Sequence, residues 1–192
     1  EIALDNINIE INEFGLGKND DELELWIPKL NWGGAFVKSK DNSYSDNILA
    51  SKDGFLKLDS KNYIIKNIQI KSCKDILEKK FTSLLKNGFK NGVIKIDVEG
   101  MEEIILKGIS QSIPDKFKLM IIFENWDPNF SLDIIKKYFS NYQTSFMILN
   151  RSTKYKNGLL KLFSNSNLVL SPLETNEPNV GDIVIQIGNI SS

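Results

Sequence analysis

Val93-Ile94-Lys95-Ile96-Asp97-Val98-Glu99-Gly100 runs straight into Met101-Glu102-Glu103-Ile104-Ile105-Leu106-Lys107-Gly108-Ile109, and the change of period between the two halves decides the fold. In the first half Ile94, Ile96 and Val98 fall on one side and Lys95, Asp97 and Glu99 on the other, the two-residue alternation of a strand. After Gly100 the apolar positions Ile104, Ile105 and Ile109 share one face of a helix, with Glu102 placed on an exposed first turn. Three charges in register are costly in a sheet covered on both faces unless they lie at the strand's carboxyl end or pair with one another. Open α/β sheets bind ligands at that end. Two readings stay open here: Asp97 and Glu99 face a ligand, or they accept the free amides of the following helix and complement its dipole.

Working outward, Leu119 to Phe123 is a continuous apolar run closing on Glu124, the mark of a strand buried on both faces. Upstream, Ile68 and Ile70 alternate with Gln69 and Lys71. The period then turns helical at Leu77, Phe81, Leu84 and Leu85, between a Ser72/Asp75 capping pair and Gly88. Downstream, Ser131 caps a helix carrying Leu132, Ile135 and Phe139, and Phe146–Leu149 and Ile183–Ile187 supply late strands with an irregular or hairpin-like stretch between them. Strand and helix alternate from Ile68 onward, which argues an α/β sheet with helices on both faces.

The first third of the chain is less regular. Ile7, Ile9 and Ile11 alternate with polar residues and predict a strand ending in the turn Phe14-Gly15-Leu16-Gly17. Leu23, Leu25 and Ile27 alternate again until Pro28. From Asn31 to Ser60 no period survives, so the stretch opening with Trp32-Gly33-Gly34 reads as a long irregular loop, a place where function often sits.

Composition removes many chemistries. The chain has 192 residues, 41% of them apolar, enough for a sizeable core. A formal charge of −1 gives no field that would draw it onto nucleic acid or an anionic membrane. No run is long enough to span a bilayer, and the single cysteine, Cys73, forms no intrachain disulfide and reads as a small core residue; a reducing, cytoplasmic setting fits. Histidine is absent. That excludes an imidazole base, a Ser-His-Asp system and an imidazole zinc site, and leaves acid–base chemistry to Asp, Glu, Lys or Tyr.

The string Lys95-Ile96-Asp97-Val98-Glu99-Gly100, a few helical residues, then Leu106-Lys107-Gly108 resembles the hallmark segment of FkbM-type methyltransferases. The Phe-Gly-Leu-Gly turn, the Gly33-Gly34 loop, the strand before Cys73 and the apolar strand closing on Glu124 follow in the matching order. The resemblance implies a Rossmann-like methyltransferase sheet with S-adenosylmethionine across the carboxyl ends of its strands and a sugar-containing or other small-molecule acceptor. It implies Gly15 and Leu16 near the adenine, Asp97 and Glu99 facing donor and acceptor, and Glu124 flanking the acceptor pocket. Asp97 is then the first candidate for the base that takes the acceptor's hydroxyl proton. Lys95 holds Asp97 ionised, binds an anionic acceptor or is a plain ion-pair partner. The family's glycine-rich cofactor loop and ribose-binding acid are expected before Glu1. Residues 1–192 therefore read as one domain lacking its first strand–helix units, and weak donor binding by this chain alone is the expectation.

Lesser features stay open. Trp32, Gly33 and Gly34, with Phe36 and Tyr44, can form an acceptor loop of aromatic side chains on a flexed segment. Lysines 57, 61, 66, 71, 74, 79, 80, 86 and 90 either meet a phosphorylated acceptor or solvate their own surfaces. Asn125-Trp126-Asp127-Pro128 either covers the site or turns the chain. The competing reading, from a different class, is a catalytically silent α/β module built for assembly, and a homo-oligomer is compatible with both.

Overall fold

A computed structural model describes residues 9–52, 54–55, 57–126, 130–153, 166–173 and 181–188. It is an α/β protein with two mixed sheets and, among the described residues, four α-helices. In chain order the elements are β1 (Gly15–Gly17), β2 (Asp21–Pro28), β3 (Phe36–Lys38), α1 (Asp46–Lys52), β4 (Tyr63–Ser72), α2 (Cys73–Lys86), β5 (Asn91–Ile96), α3 (Glu102–Ser110), β6 (Lys118–Asn125), α4 (Leu132–Tyr138), β7 (Thr144–Thr153), β8 (Ser166–Pro172) and β9 (Gly181–Ile187).

The second sheet positions the site. Its order is β5-β6-β9-β7-β8. β5 and β6 are parallel neighbours, in register from Asn91 opposite Lys118 to Ile96 opposite Phe123. β9 runs antiparallel to both β6 and β7, so β5, β6 and β7 point the same way, linked through α3 and α4. Parallel strands need such crossovers, and the helices α2, α3 and α4 pack in succession on one another. Ile96, Ile105, Leu106, Ile109, Leu119, Ile121, Phe123, Ile135, Phe139, Ile183 and Ile185 make one core between helices and sheet. The helical stripe is thus Ile105, Leu106 and Ile109 rather than one led by Ile104, which is only partly buried.

The sheet's other face differs from the sequence expectation of helices on both sides. In β6, Leu119, Ile121 and Phe123 are buried while Met120 and Ile122 are only half-buried. In β5, Val93 is 66% exposed and Lys95 is exposed. Among the described residues β5 is an edge strand and not a central one, paired with β6 alone.

The first sheet has the order β1-β4-β2-β3, with β1 parallel to β4 and the rest antiparallel. Where β1 meets β4, Gly17 has no room for a side chain: a Cβ there falls 2.5 Å from Ile70 Cγ2. The strand expected at Ile7–Ile11 is absent from its described part: Ile7 lies outside the described residues, and Ile9 and Ile11 are exposed and outside any strand. Ile9 and Ile11 are 72% and 82% exposed, so burial gives their alternation no support. The stretch read as an irregular loop is more ordered than its pattern suggests, with a 3-10 turn at Trp32–Gly34, β3, α1 and a second turn at Ser60–Asn62. Its order comes from a second cluster, Phe36, Tyr44, Leu49 and Tyr63, packed with Trp26 and Phe55. Phe36 and Tyr44 are therefore core residues, not members of an open aromatic loop.

α2 begins as its sequence predicts, with Ser72 Oγ accepting from the Asp75 amide at 3.3 Å, and ends before Gly88 at φ 85°. Ser131 stands at the N-cap of α4 without a side-chain capping bond. The hairpin-like stretch resolves as β7 paired antiparallel with β8.

Candidate functional site

The carboxyl ends of β5 and β6 and the residues after β3 converge on one cluster. β5 stops at Ile96, and Asp97, Val98, Glu99, Gly100 and Met101 lead to α3. Gly100 is buried with φ 87°, a conformation that L side chains avoid. A Cβ on it falls 1.9 Å from Asn42 Oδ1. That closeness is used: Asn42 Nδ2 donates to the Glu99 carbonyl at 2.7 Å and to the Val37 carbonyl at 3.1 Å, and the Ser43 amide donates to the Gly100 carbonyl at 2.8 Å. The segment after β3 is thereby tied across the turn that follows β5.

Lys52, the last residue of α1, completes the tie. Its ammonium pairs with the Glu99 carboxylate, and the two side chains are 20% and 14% exposed. The same ammonium stands 5.5 Å from the Tyr44 ring centre and 5.0 Å from that of Trp126, so two aromatic faces and a carboxylate surround one cation. The Trp126 amide donates to the Tyr44 hydroxyl at 3.1 Å, which fixes the first residue beyond β6 against this box. Burial pushes the Tyr44 phenol well above its ordinary range, and the charges of Glu102, Glu99 and Glu124 push the same way against the Trp126 amide bond.

Glu102 corrects the sequence reading. It is 6% exposed, not set on an exposed turn, and its Oε1 accepts from the Gly100 amide at 3.3 Å. Burial raises its carboxyl from the usual 4.5 to about 7, opposed by backbone hydrogen bonds at Glu102 and Gly100, while Glu99 raises it further and Lys52 lowers it. The N-cap of α3, Met101, carries no side-chain capping bond, and the Gly100 amide just before it is met by Glu102, so no capping bond from Asp97 or Glu99 is present among the described residues.

Of the site residues expected from sequence, Glu99 and Glu124 are brought to the same cluster, both acting on Tyr44. Asp97 is exposed, one residue past the end of β5, and Glu124 is the penultimate residue of the neighbouring parallel β6. Both carboxylates thus lie at the same edge of the sheet. Lys95 donates to the Ile96 carbonyl at 3.3 Å and pairs with no described carboxylate. Gly15 and Leu16 sit in β1 opposite Ile70 and Lys71, and Leu16 packs on the main core. Trp32 and Gly33 are exposed and Gly34 is buried in the β2–β3 connection; Trp32, at 73% exposure, makes no described contact with the cluster. Sequence reading missed Lys52 altogether, and no local signal marks it, because its partner is 47 residues away. Cys73 is buried as expected, its thiol pushed up to about 12 by burial alone.

Among the described residues no group of His, Cys, Asp or Glu is arranged to hold a metal ion. No helix of the described residues is long and apolar enough to cross a membrane. Comparison of the chain with family models, with curated proteins and with solved structures returns no match.

Proposed function

We propose that the chain is an S-adenosylmethionine-dependent methyltransferase acting on a hydroxyl of a sugar or other small-molecule acceptor at the carboxyl edge of β5 and β6. The observation that carries this reading is the Lys95–Gly100 motif ending a parallel strand and leaving the Asp97 carboxylate exposed beside the end of its neighbour, where Glu124 lies. Ligands of α/β sheets bind at this edge.

The chemistry of the edge suits a cationic donor. Glu99 is matched by the Lys52 ammonium, which leaves Asp97 and Glu124, neither in an ion pair with a described residue, as the carboxylates at this edge that attract a sulfonium. S-adenosylmethionine supplies an electrophilic methyl group. Asp97 accepts the acceptor's hydroxyl proton as the oxygen attacks, and its exposure leaves it within reach of an incoming molecule. Glu124 orients the acceptor by hydrogen bonding, and Glu102 holds the turn that presents Asp97. The test is transfer of label from methyl-labelled S-adenosylmethionine to a panel of hydroxylated acceptors: label in an acceptor supports the reading, and its absence across sugars and small alcohols counts against it.

A second reading, a catalytically silent assembly module, has one observation in its favour. Among the described residues no strand pairs on the outer side of β5 or β8, and Val93 on β5 and Leu168, Val169 and Leu170 on β8 are exposed. Unpaired apolar edges invite another strand. A concentration-dependent increase in sedimentation coefficient with no methyl transfer favours this reading over the first.

A further inference from the structure

We propose that the groove between β1, the start of α2 and the outer face of α3 binds a phosphorylated, hydroxyl-rich small molecule of the sugar-phosphate class. Two hollows, of about 410 and 340 Å³, share Gly17, Lys18 and Asp41, and the larger reaches Ser43 and Gly100. Their size is that of small-molecule sites. Gly17 lies at the junction between them.

The lining is unusual for a chain of net charge −1: five lysines face three carboxylates. Lys18, Lys40 and Lys74 form no ion pair with any described residue. Lys107 stands 5.8 Å above the Tyr138 ring, and the Tyr138 hydroxyl donates to Glu103 at 2.7 Å, which engages part of the opposing negative charge. Lys18 and Lys74 line the larger hollow and Lys18 and Lys40 the smaller, so two unpaired ammonium groups share each hollow and repel each other, and a single group carrying about two negative charges matches such a pair. A monocarboxylate does not. The carboxylate of Asp41 disfavours a purely anionic occupant but accepts hydrogen bonds from hydroxyls, as Ser43 and Gln111 also do. Phosphate among the lysines with hydroxyls toward Asp41 and Ser43 satisfies both halves of the lining. This inference does not depend on methyl transfer.

Titration calorimetry with glucose 6-phosphate and ribose 5-phosphate, against glucose and inorganic phosphate alone, tests it. The expected result is binding of a sugar phosphate about tenfold or more tighter than either component, weakened as ionic strength rises from about 50 to 200 mM. Lys18→Glu/Lys74→Glu abolishes the heat, whereas Lys18→Arg/Lys74→Arg retains it; both lysines are exposed, and an unchanged melting temperature verifies the fold. No heat from either sugar phosphate, equal affinity for inorganic phosphate alone, or unaltered binding by the Glu variant overturns the proposal.

Discussion

Lys52 and Glu99 form an ion pair across 47 residues of chain, joining the end of α1 to the turn after β5. The pair is mostly enclosed, so removing one partner strands the other. Lys52→Met leaves the Glu99 carboxylate facing two aromatic rings without its cation and is expected to lower stability by about 1–3 kcal/mol. Lys52→Met combined with Glu99→Gln recovers part of that loss. A double-mutant cycle by urea unfolding measures the coupling, predicted at about 1–2 kcal/mol; a value near zero means that the contact holds nothing.

Glu102 makes stability depend on pH in a definite direction. Its carboxyl is raised from 4.5 to about 7 in the folded state. Below about pH 4.5 it is protonated folded or unfolded, and its contribution is intact. As pH rises toward 7 the unfolded chain releases the proton and the folded chain keeps it, so stability falls by up to about 3 kcal/mol before levelling. Glu102→Gln removes this dependence. Thermal melts of wild type and variant from pH 4.5 to 8 are expected to diverge in slope over that window; parallel curves contradict the burial argument.

Gly100 is required by both conformation and space. Gly100→Ala forces a side chain into φ 87° and onto the Asn42 amide, whose hydrogen bonds to Val37, Glu99 and Tyr44 must then shift. A loss of about 2–4 kcal/mol is expected. Gly88→Ala is the control: φ is 85° but nothing lies within 4 Å of the added Cβ, so only the conformational part, about 1–2 kcal/mol, is lost. Equal losses in the two variants rule out the crowding at Gly100.

β4 to β7, β9 and α2 to α4 were legible because their apolar residues repeat at periods that the local backbone dictates, whereas β8 falls in a stretch whose pattern left irregular and hairpin-like readings open. Ile94 and Ile96 against Val93 and Lys95, or Ser72 before Asp75, carry their structure in neighbours. The cluster around Lys52 was not legible. Its parts come from α1, the β5–α3 turn and the residue after β6, and only the folded chain brings them together. Glu102 misled for a related reason: a charged residue at a helix start is usually exposed, and its burial is imposed by the turn packed over it. Ile9 and Ile11 misled oppositely, by showing a strand's alternation with nothing to pair against.

The central claim is that Asp97 takes the acceptor proton during methyl transfer. The turnover of Asp97→Asn, with an acceptor verified on the wild type, tests this role. A fall in kcat of about 10²-fold or more with an unchanged melting temperature is expected, the usual loss for a positioned base. Near-normal turnover by Asp97→Asn contradicts it.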